Sequence, residues 1–279
     1  MPRPPDATSN RVVLVTGATS GIGLETARAL GREDSLVVLG VRDPVRGQAV
    51  ADEIARGGGR AEVLRIDLAS FESVREAARR FLEKHHRLDA LVNNAGVAIR
   101  TRQVTADGHE RTWQTNFLGG FLLTRLLLPA LKAAPRPRVV NVSSEAHRTG
   151  RIDWSNLELE KGYGAYQAYA NTKLGQVLFT RELARREPRI QVNAVHPGVI
   201  ATNIWREVPA VLRWIPRLLF ASAAKGAAPV VRLASAPEVD TVTGRFFKRF
   251  RETDPSYAGR NDADAARLWD VAERSTGTP

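Results

Sequence analysis

The sequence predicts an α/β fold: a single-domain, doubly wound (Rossmann-type) parallel sheet flanked by helices. Three observations predict it. From Arg11 onward, short runs rich in β-branched residues alternate with longer amphipathic stretches. Several of the short runs are almost wholly apolar, the pattern of parallel strands covered on both faces. The first run leads straight into a glycine-rich turn and then a helical stretch, the opening of a nucleotide-binding βαβ unit.

In chain order, 12–16, 36–41, 61–66, 88–93, 138–143 and 191–196 read as strands. Helices are expected near 21–31, 44–56, 71–85, 108–132 and 165–187. The punctuation agrees. Asp43-Pro44 sets a cap and then a proline at a helix start. Gly57-Gly58-Gly59 ends that helix. Asp107 followed by Glu110 resembles a capping box for the helix over 108–132, and Pro135 and Pro137 close it. After 203 the rhythm breaks, with two or three helices and one short strand over 244–247. No repeat, linker or low-complexity segment interrupts the chain. Residues 1–10 read as a disordered tail and 11–279 as one domain.

Composition narrows the function classes. The chain has 279 residues, 43% of them hydrophobic, which suits one large α/β domain with a substantial core. Cysteine is absent, so disulfides and thiolate chemistry are excluded. The five histidines, His85, His86, His109, His147 and His196, show no metal-ligand spacing, and no metal is expected. The net charge of +11 comes from scattered basic residues with no run of five, so it reads as an arginine excess over helix surfaces. No nucleic-acid partner is inferred from it. The first ten residues lack an apolar core, and no stretch of about 18 apolar residues follows anywhere. These features predict no stable membrane anchor and a cytoplasmic location.

The segment Thr16-Gly17-Ala18-Thr19-Ser20-Gly21-Ile22-Gly23 follows the first strand. Gly17 allows a tight turn, Gly21 lets backbone approach a pyrophosphate, and Gly23 lets helix and sheet pack closely. The following helix N-terminus offers free N–H groups and a positive dipole end to the phosphates. The second strand ends Gly40-Val41-Arg42-Asp43. An acidic residue there bonds the ribose diol of NAD, whereas an arginine suits a 2′-phosphate and can pair it bidentately. Arg42 favours NADP(H), and Asp43 beside it leaves NAD(H) open.

The spacing GxxxGxG, then Asn93-Asn94-Ala95-Gly96, Asn116, Ser143-Ser144, Tyr169-Ala-Asn-Thr-Lys173 and Pro197-Gly198 with Thr202, runs in one order along nearly the whole chain. This order resembles the short-chain dehydrogenase/reductase family. The resemblance implies a nicotinamide-dependent oxidoreductase. It assigns Tyr169 as general acid/base, Lys173 as the group that tunes the tyrosine and bonds the nicotinamide ribose, and Ser144 as the residue that polarises the substrate oxygen. Ser144 is preferred over Ser143 on the resemblance alone. Asn116 resembles the residue that anchors a water behind the lysine. The cofactor cradle so implied comprises Gly17, Thr19, Ser20, Gly21, Ile22, Gly23, Arg42, Asn94, Ala95 and Gly96. Asp67 and Leu68 would meet the adenine, and Pro197, Gly198, Val199 and Thr202 the carboxamide. Independently, tyrosine's ordinary pKa near 10 needs help to work at neutral pH. A lysine four residues on shares its helix face and is expected to lower that pKa. Tyr163 and Tyr166, with no lysine at that spacing, read as rim or helix surface.

The long insertion AHRTGRIDWSNLELEKGYGAYQA, the run HPGVIATNI and the ending ARLWDVAERS resemble the retinol-dehydrogenase-like branch, which acts on lipophilic carbonyls and alcohols. The apolar and basic segment over 205–220 reads as a substrate lid, with a core-capping helix or a membrane-touching patch as rivals. The helices over 108–132 and 165–187 resemble those that pair family members into a homodimer. Two other functions stand beside the leading one: reduction of a C=C bond, and a nucleotide-binding sensor module on the same fold.

Overall fold

A computed structural model of the chain describes residues 11–198 and 222–278. The tail over 1–10, Val199, Thr202 and the segment expected as a lid, 203–221, lie outside the described residues.

The architecture is the expected one. Strands β1 (Val12–Thr16), β2 (Leu36–Val41), β3 (Arg60–Arg65), β4 (Ala90–Asn93), β5 (Arg138–Val142), β6 (Gln191–His196), β7 (Arg245–Lys248) and β8 (Arg251–Glu252) form one sheet, ordered 3-2-1-4-5-6-7-8. All pairings are parallel except β7 with β8. The central strands are buried on both faces, which is why their sequences are apolar almost throughout. Helices α1 (Gly21–Arg32), α2 (Pro44–Arg56) and α8 (Ala223–Ser235) cover one face. On the other lie α3 (Phe71–Lys84), α4 (Arg111–Trp113), α5 (Gly119–Leu126), α6 (Leu128–Lys132), α7 (Ala165–Arg186) and α9 (Asp262–Thr276). The order of strands reverses between β1 and β4, the place where such sheets open a crevice at their carboxyl ends. Among the described residues, no helix is long and apolar enough to cross a membrane.

Three local expectations are corrected. The helix expected over 108–132 is not continuous: α4 passes into a π turn at Gln114–Leu118, then α5, and a break at Leu127 precedes α6. The expected capping box is also absent. Glu110 itself caps α4, accepting from the backbone N–H of Thr112 and Trp113. Asp107 instead accepts from Phe71 N at 2.8 Å, at the start of α3, so it serves a helix distant in sequence. The strand expected over 88–93 begins at Ala90; Leu88 N bonds Ala130 O rather than a strand neighbour.

Helix α9 packs against α5 and α7, the helices expected to pair two copies. Trp269, 3% exposed, meets Phe121 at 5.1 Å and Phe179 at 5.9 Å between ring centroids. The guanidinium groups of Arg125 and Arg186 stack on the same indole at 4.9 and 4.6 Å. Trp269 thus buries part of the apolar surface of α5 and α7 within the chain.

Candidate active site

A cavity of about 470 Å³ opens at the carboxyl ends of the strands. Its walls are the turns that follow β1 to β6. Thr16 ties the first turn to the fourth: its Oγ1 accepts from Asn94 N and Ala95 N, while Asn94 Nδ2 donates to Thr16 O at 2.8 Å. Gly17 (φ +68°) and Gly21 (φ +57°) take left-handed backbone, which the tight turn requires. Gly23 does a different job. A Cβ there would sit 2.4 Å from both Asn94 Nδ2 and Gly17 O, so it permits packing and does not line the cavity.

Of the predicted cofactor residues, Gly17, Thr19, Ser20, Gly21, Ile22, Arg42, Asp67, Leu68, Asn94, Ala95, Gly96, Tyr169, Lys173, Pro197 and Gly198 line this one cavity. Ser20 begins α1 without a side-chain cap, and the first turn carries no acid. That uncapped, positively polarised helix end beside two left-handed glycines fits a phosphate. The residues present therefore suit a nicotinamide dinucleotide.

Arg46 and His196 also line the cavity, although no motif gives them a role. Arg46, on the first turn of α2, reaches the rim beside Arg42 and donates to Thr19 O at 3.4 Å. Its position one turn after Arg42 was the available clue. Asp43 turns away from the role that would recognise a ribose diol. Its carboxylate caps α2, accepting from Val45 N at 3.0 Å and Arg46 N at 3.2 Å, and it is not among the cavity-lining residues. The second is His196, at the end of β6. Burial lowers its pKa to about 4, so the imidazole facing the cavity is neutral.

Ser144, Tyr169 and Lys173 line the same cavity. Tyr169 is 8% exposed, and its phenol is hydrogen-bonded to the Ser144 side chain. Ser144 Oγ also accepts from Ala146 N at 3.2 Å, which fixes the start of the turn after β5. Ser143 is spent elsewhere, donating to Lys173 O at 2.9 Å. Geometry thus separates two serines that the sequence left adjacent. The rival tyrosines are likewise occupied: Tyr163 Oη donates to Ile99 O at 2.8 Å, and Tyr166 stands half-exposed on the rim, 3.0 Å from Thr149 Oγ1.

Lys173 and Tyr169 share a face of α7, as their spacing predicts, with Nζ 5.3 Å from the tyrosine ring centroid. Their protonation differs from the expectation. Burial pushes the Tyr169 phenol up to about 12, against a smaller downward pull from Ser144, and burial pushes Lys173 down to about 7. The lysine is held by two neutral oxygens. Its Nζ donates to Val142 O at 2.8 Å and to Gln176 Oε1 at 3.0 Å. Asn116 lies behind it in the π turn, outside the cavity lining. Its side chain clamps Val97, accepting from N at 2.7 Å and donating to O at 2.8 Å.

This geometry agrees with kinship. Residues 11–212 match the family described as short chain dehydrogenase. The chain is 42% identical over 281 residues to mouse polyprenol dehydrogenase, covering 96% of this chain and 84% of that protein. It is 36% identical over 296 residues to human retinol dehydrogenase 14, covering 98% and 88%. A solved structure of a Mycobacterium paratuberculosis protein superposes with a TM-score of 0.80 at 35% identity, covering 97% of this chain and 94% of that one. The chain belongs to the short-chain dehydrogenase/reductase family, in its retinol-dehydrogenase-like branch.

Proposed function

We propose that the chain is an NADP(H)-preferring carbonyl reductase or alcohol dehydrogenase acting on lipophilic small molecules. The observation that carries the reading is the buried Tyr169 phenol, joined to Ser144, in the same cavity as the glycine turn. A bound nicotinamide supplies or takes up the hydride. The chain's own part is the proton and the geometry. In reduction, Tyr169 Oη gives its proton to the substrate oxygen while the Ser144 hydroxyl bonds that oxygen and polarises the carbonyl. In oxidation the same oxygen takes the proton back. Burial, which pushes the phenol up to about 12, favours the protonated state that reduction needs. Lys173, whose third N–H is left for the cavity, is suited to the nicotinamide ribose.

Preference for the phosphorylated cofactor rests on Arg42 and Arg46, two guanidinium groups on the rim, and on the engagement of Asp43 as a helix cap. Lipophilic substrates are inferred from relatives whose names specify retinol and polyprenol. The proton donor also speaks for an enzyme, since a nucleotide sensor has no use for one. A screen of aldehydes and ketones of increasing chain length, followed by NADPH absorbance, tests the reading. Each buried CH₂ contributes about 0.8 kcal/mol, so kcat/KM should climb with length until the pocket is full. No turnover across the panel, or an efficiency independent of length, refutes the corresponding half of the proposal.

A further inference from the structure

Helix α7 carries a polar stripe deeper than the Tyr169 and Lys173 pair. One turn beyond Lys173 stands Gln176, 4% exposed. Its Oε1 accepts from Lys173 Nζ at 3.0 Å, and its Nε2 donates to Asn116 O at 2.8 Å. A buried amide must satisfy both a donor and an acceptor, and here the two demands point in opposite directions. The ammonium requires the oxygen and the backbone carbonyl requires the nitrogen, so the amide orientation is forced. The π turn at Gln114–Leu118 contributes the second partner, because its i→i+5 bond from Gly119 N to Gln114 O accompanies a widened turn in which Asn116 O meets the glutamine.

We propose that Gln176 is a positioning residue of the reaction: it bridges the Lys173 ammonium to Asn116 O and so directs the remaining N–H of the lysine into the cavity. The proposal rests on the oxidoreductase reading of this site. Three donors extend from an ammonium. Val142 O on β5 and Gln176 Oε1 hold two, and only the third can serve a ligand in the cavity that Lys173 lines. Without the glutamine, the long lysine chain has one anchor and several rotamers. Its charge would also lose a fixed dipole in a fully desolvated place.

The surroundings make Gln176 the main lever on this lysine. Tyr169, on the same helix, is the titratable group whose ring faces Nζ, and His196 on β6, with its pKa lowered by burial, also lines the cavity. Among the described residues, no carboxylate pairs with Lys173, and burial is the cause of its lowered pKa.

Two variants separate the halves of the bridge. Gln176→Met keeps the volume and removes both bonds. Gln176→Glu keeps an acceptor for the ammonium but sets a carboxylate against Asn116 O. The first readout needs no turnover: NMR titration of the lysine side-chain Cε signals in the full chain, with Lys173 assigned by the signal that Lys173→Met removes. The midpoint of Lys173 should fall in Gln176→Met, which deprives the charged form of its acceptor. It should rise by about a unit or more in Gln176→Glu, because an opposite charge favours the ammonium. The second readout is kinetic. The alkaline limb of the kcat profile should move the same way in each variant, and kcat of Gln176→Met should fall on the order of tenfold. A Lys173 midpoint that is the same in all three proteins overturns the proposal. So does a folded Gln176→Met with unchanged kcat and pH profile. If Gln176→Met gives no cooperative melt, the midpoint in Gln176→Glu decides alone, and an unmoved value overturns it. An enzyme inactive on every carbonyl refutes the functional reading while leaving the titration readable.

Discussion

Cofactor choice is the property most open to a decisive test, because three neighbouring side chains make opposed predictions. Arg42 and Arg46 stand on the rim of the cavity, both exposed, and Asp43 between them is occupied as the cap of α2. A charge-assisted hydrogen bond contributes about 1.5–3 kcal/mol, and solvent exposure places each arginine near the lower end, about tenfold in affinity. Arg42→Ala and Arg46→Ala should therefore each lower kcat/KM for NADPH about tenfold, and the double variant by up to about a hundredfold if the two act independently. NADH lacks the 2′-phosphate, so its kcat/KM should change by less than about threefold in all three. Asp43→Ala is the informative control. It removes two cap bonds, which costs about 0.5–2 kcal/mol of stability. The melting temperature should drop by a few degrees, roughly 2–4 °C per kcal/mol for a domain of this size, with the NADPH/NADH ratio unchanged. Steady-state kinetics with both cofactors and a thermal melt suffice. Equal losses with NADPH and NADH in the arginine variants refute the 2′-phosphate assignment. A selective loss of NADH use in Asp43→Ala would return that residue to the ribose.

Tyr169→Phe should bind NADPH, by fluorescence, as the parent does, and lose about 10²–10⁴-fold in turnover; retained activity removes Tyr169 from the proton step and brings Tyr166 forward. His196 stays neutral in the folded protein down to about 4, against 6.5 for its ordinary value. Its share of stability is therefore fully present above about 6.5 and is lost as pH falls toward 4, where the unfolded chain binds a proton that the folded one refuses. His147, lowered by burial, acts in the same direction. His196→Asn should flatten the change in urea midpoint across that window, and an unchanged slope would place the dependence elsewhere. Trp269→Ala, which empties a site packed by Phe121, Phe179 and two guanidinium groups, should cost about 3–5 kcal/mol. Because α9 packs against α5 and α7, light scattering on the full chain should give a single species near 30.6 kDa. A stable species of twice that mass would show that pairing uses another surface or displaces α9.

Local signals carried the sequence reading a long way. Strand apolarity, the three glycines after β1 and the four-residue step from Tyr169 to Lys173 are short-range patterns, and each corresponds to a backbone or helical period that survives any tertiary context. They determined the layered α/β class and the place of the glycine turn, whereas most other residues expected at the cavity came from the resemblance to a family. What depends on partners distant in sequence was decided only by the tertiary structure. Asp107 serves the start of α3, which Ser70 caps, because folding brings it to Phe71 N. Ser143 and Ser144 are equivalent as letters and differ because one bonds Lys173 O and the other Tyr169. The shifts of Tyr169 and Lys173 follow from burial beneath packed elements, a quantity that no spacing along the chain encodes. Arg46 and Gln176 belong to no motif, and the motif that holds His196 gives it no role. Their roles arise where the ends of separate strands and helices converge, and that convergence exists only once the sheet has formed.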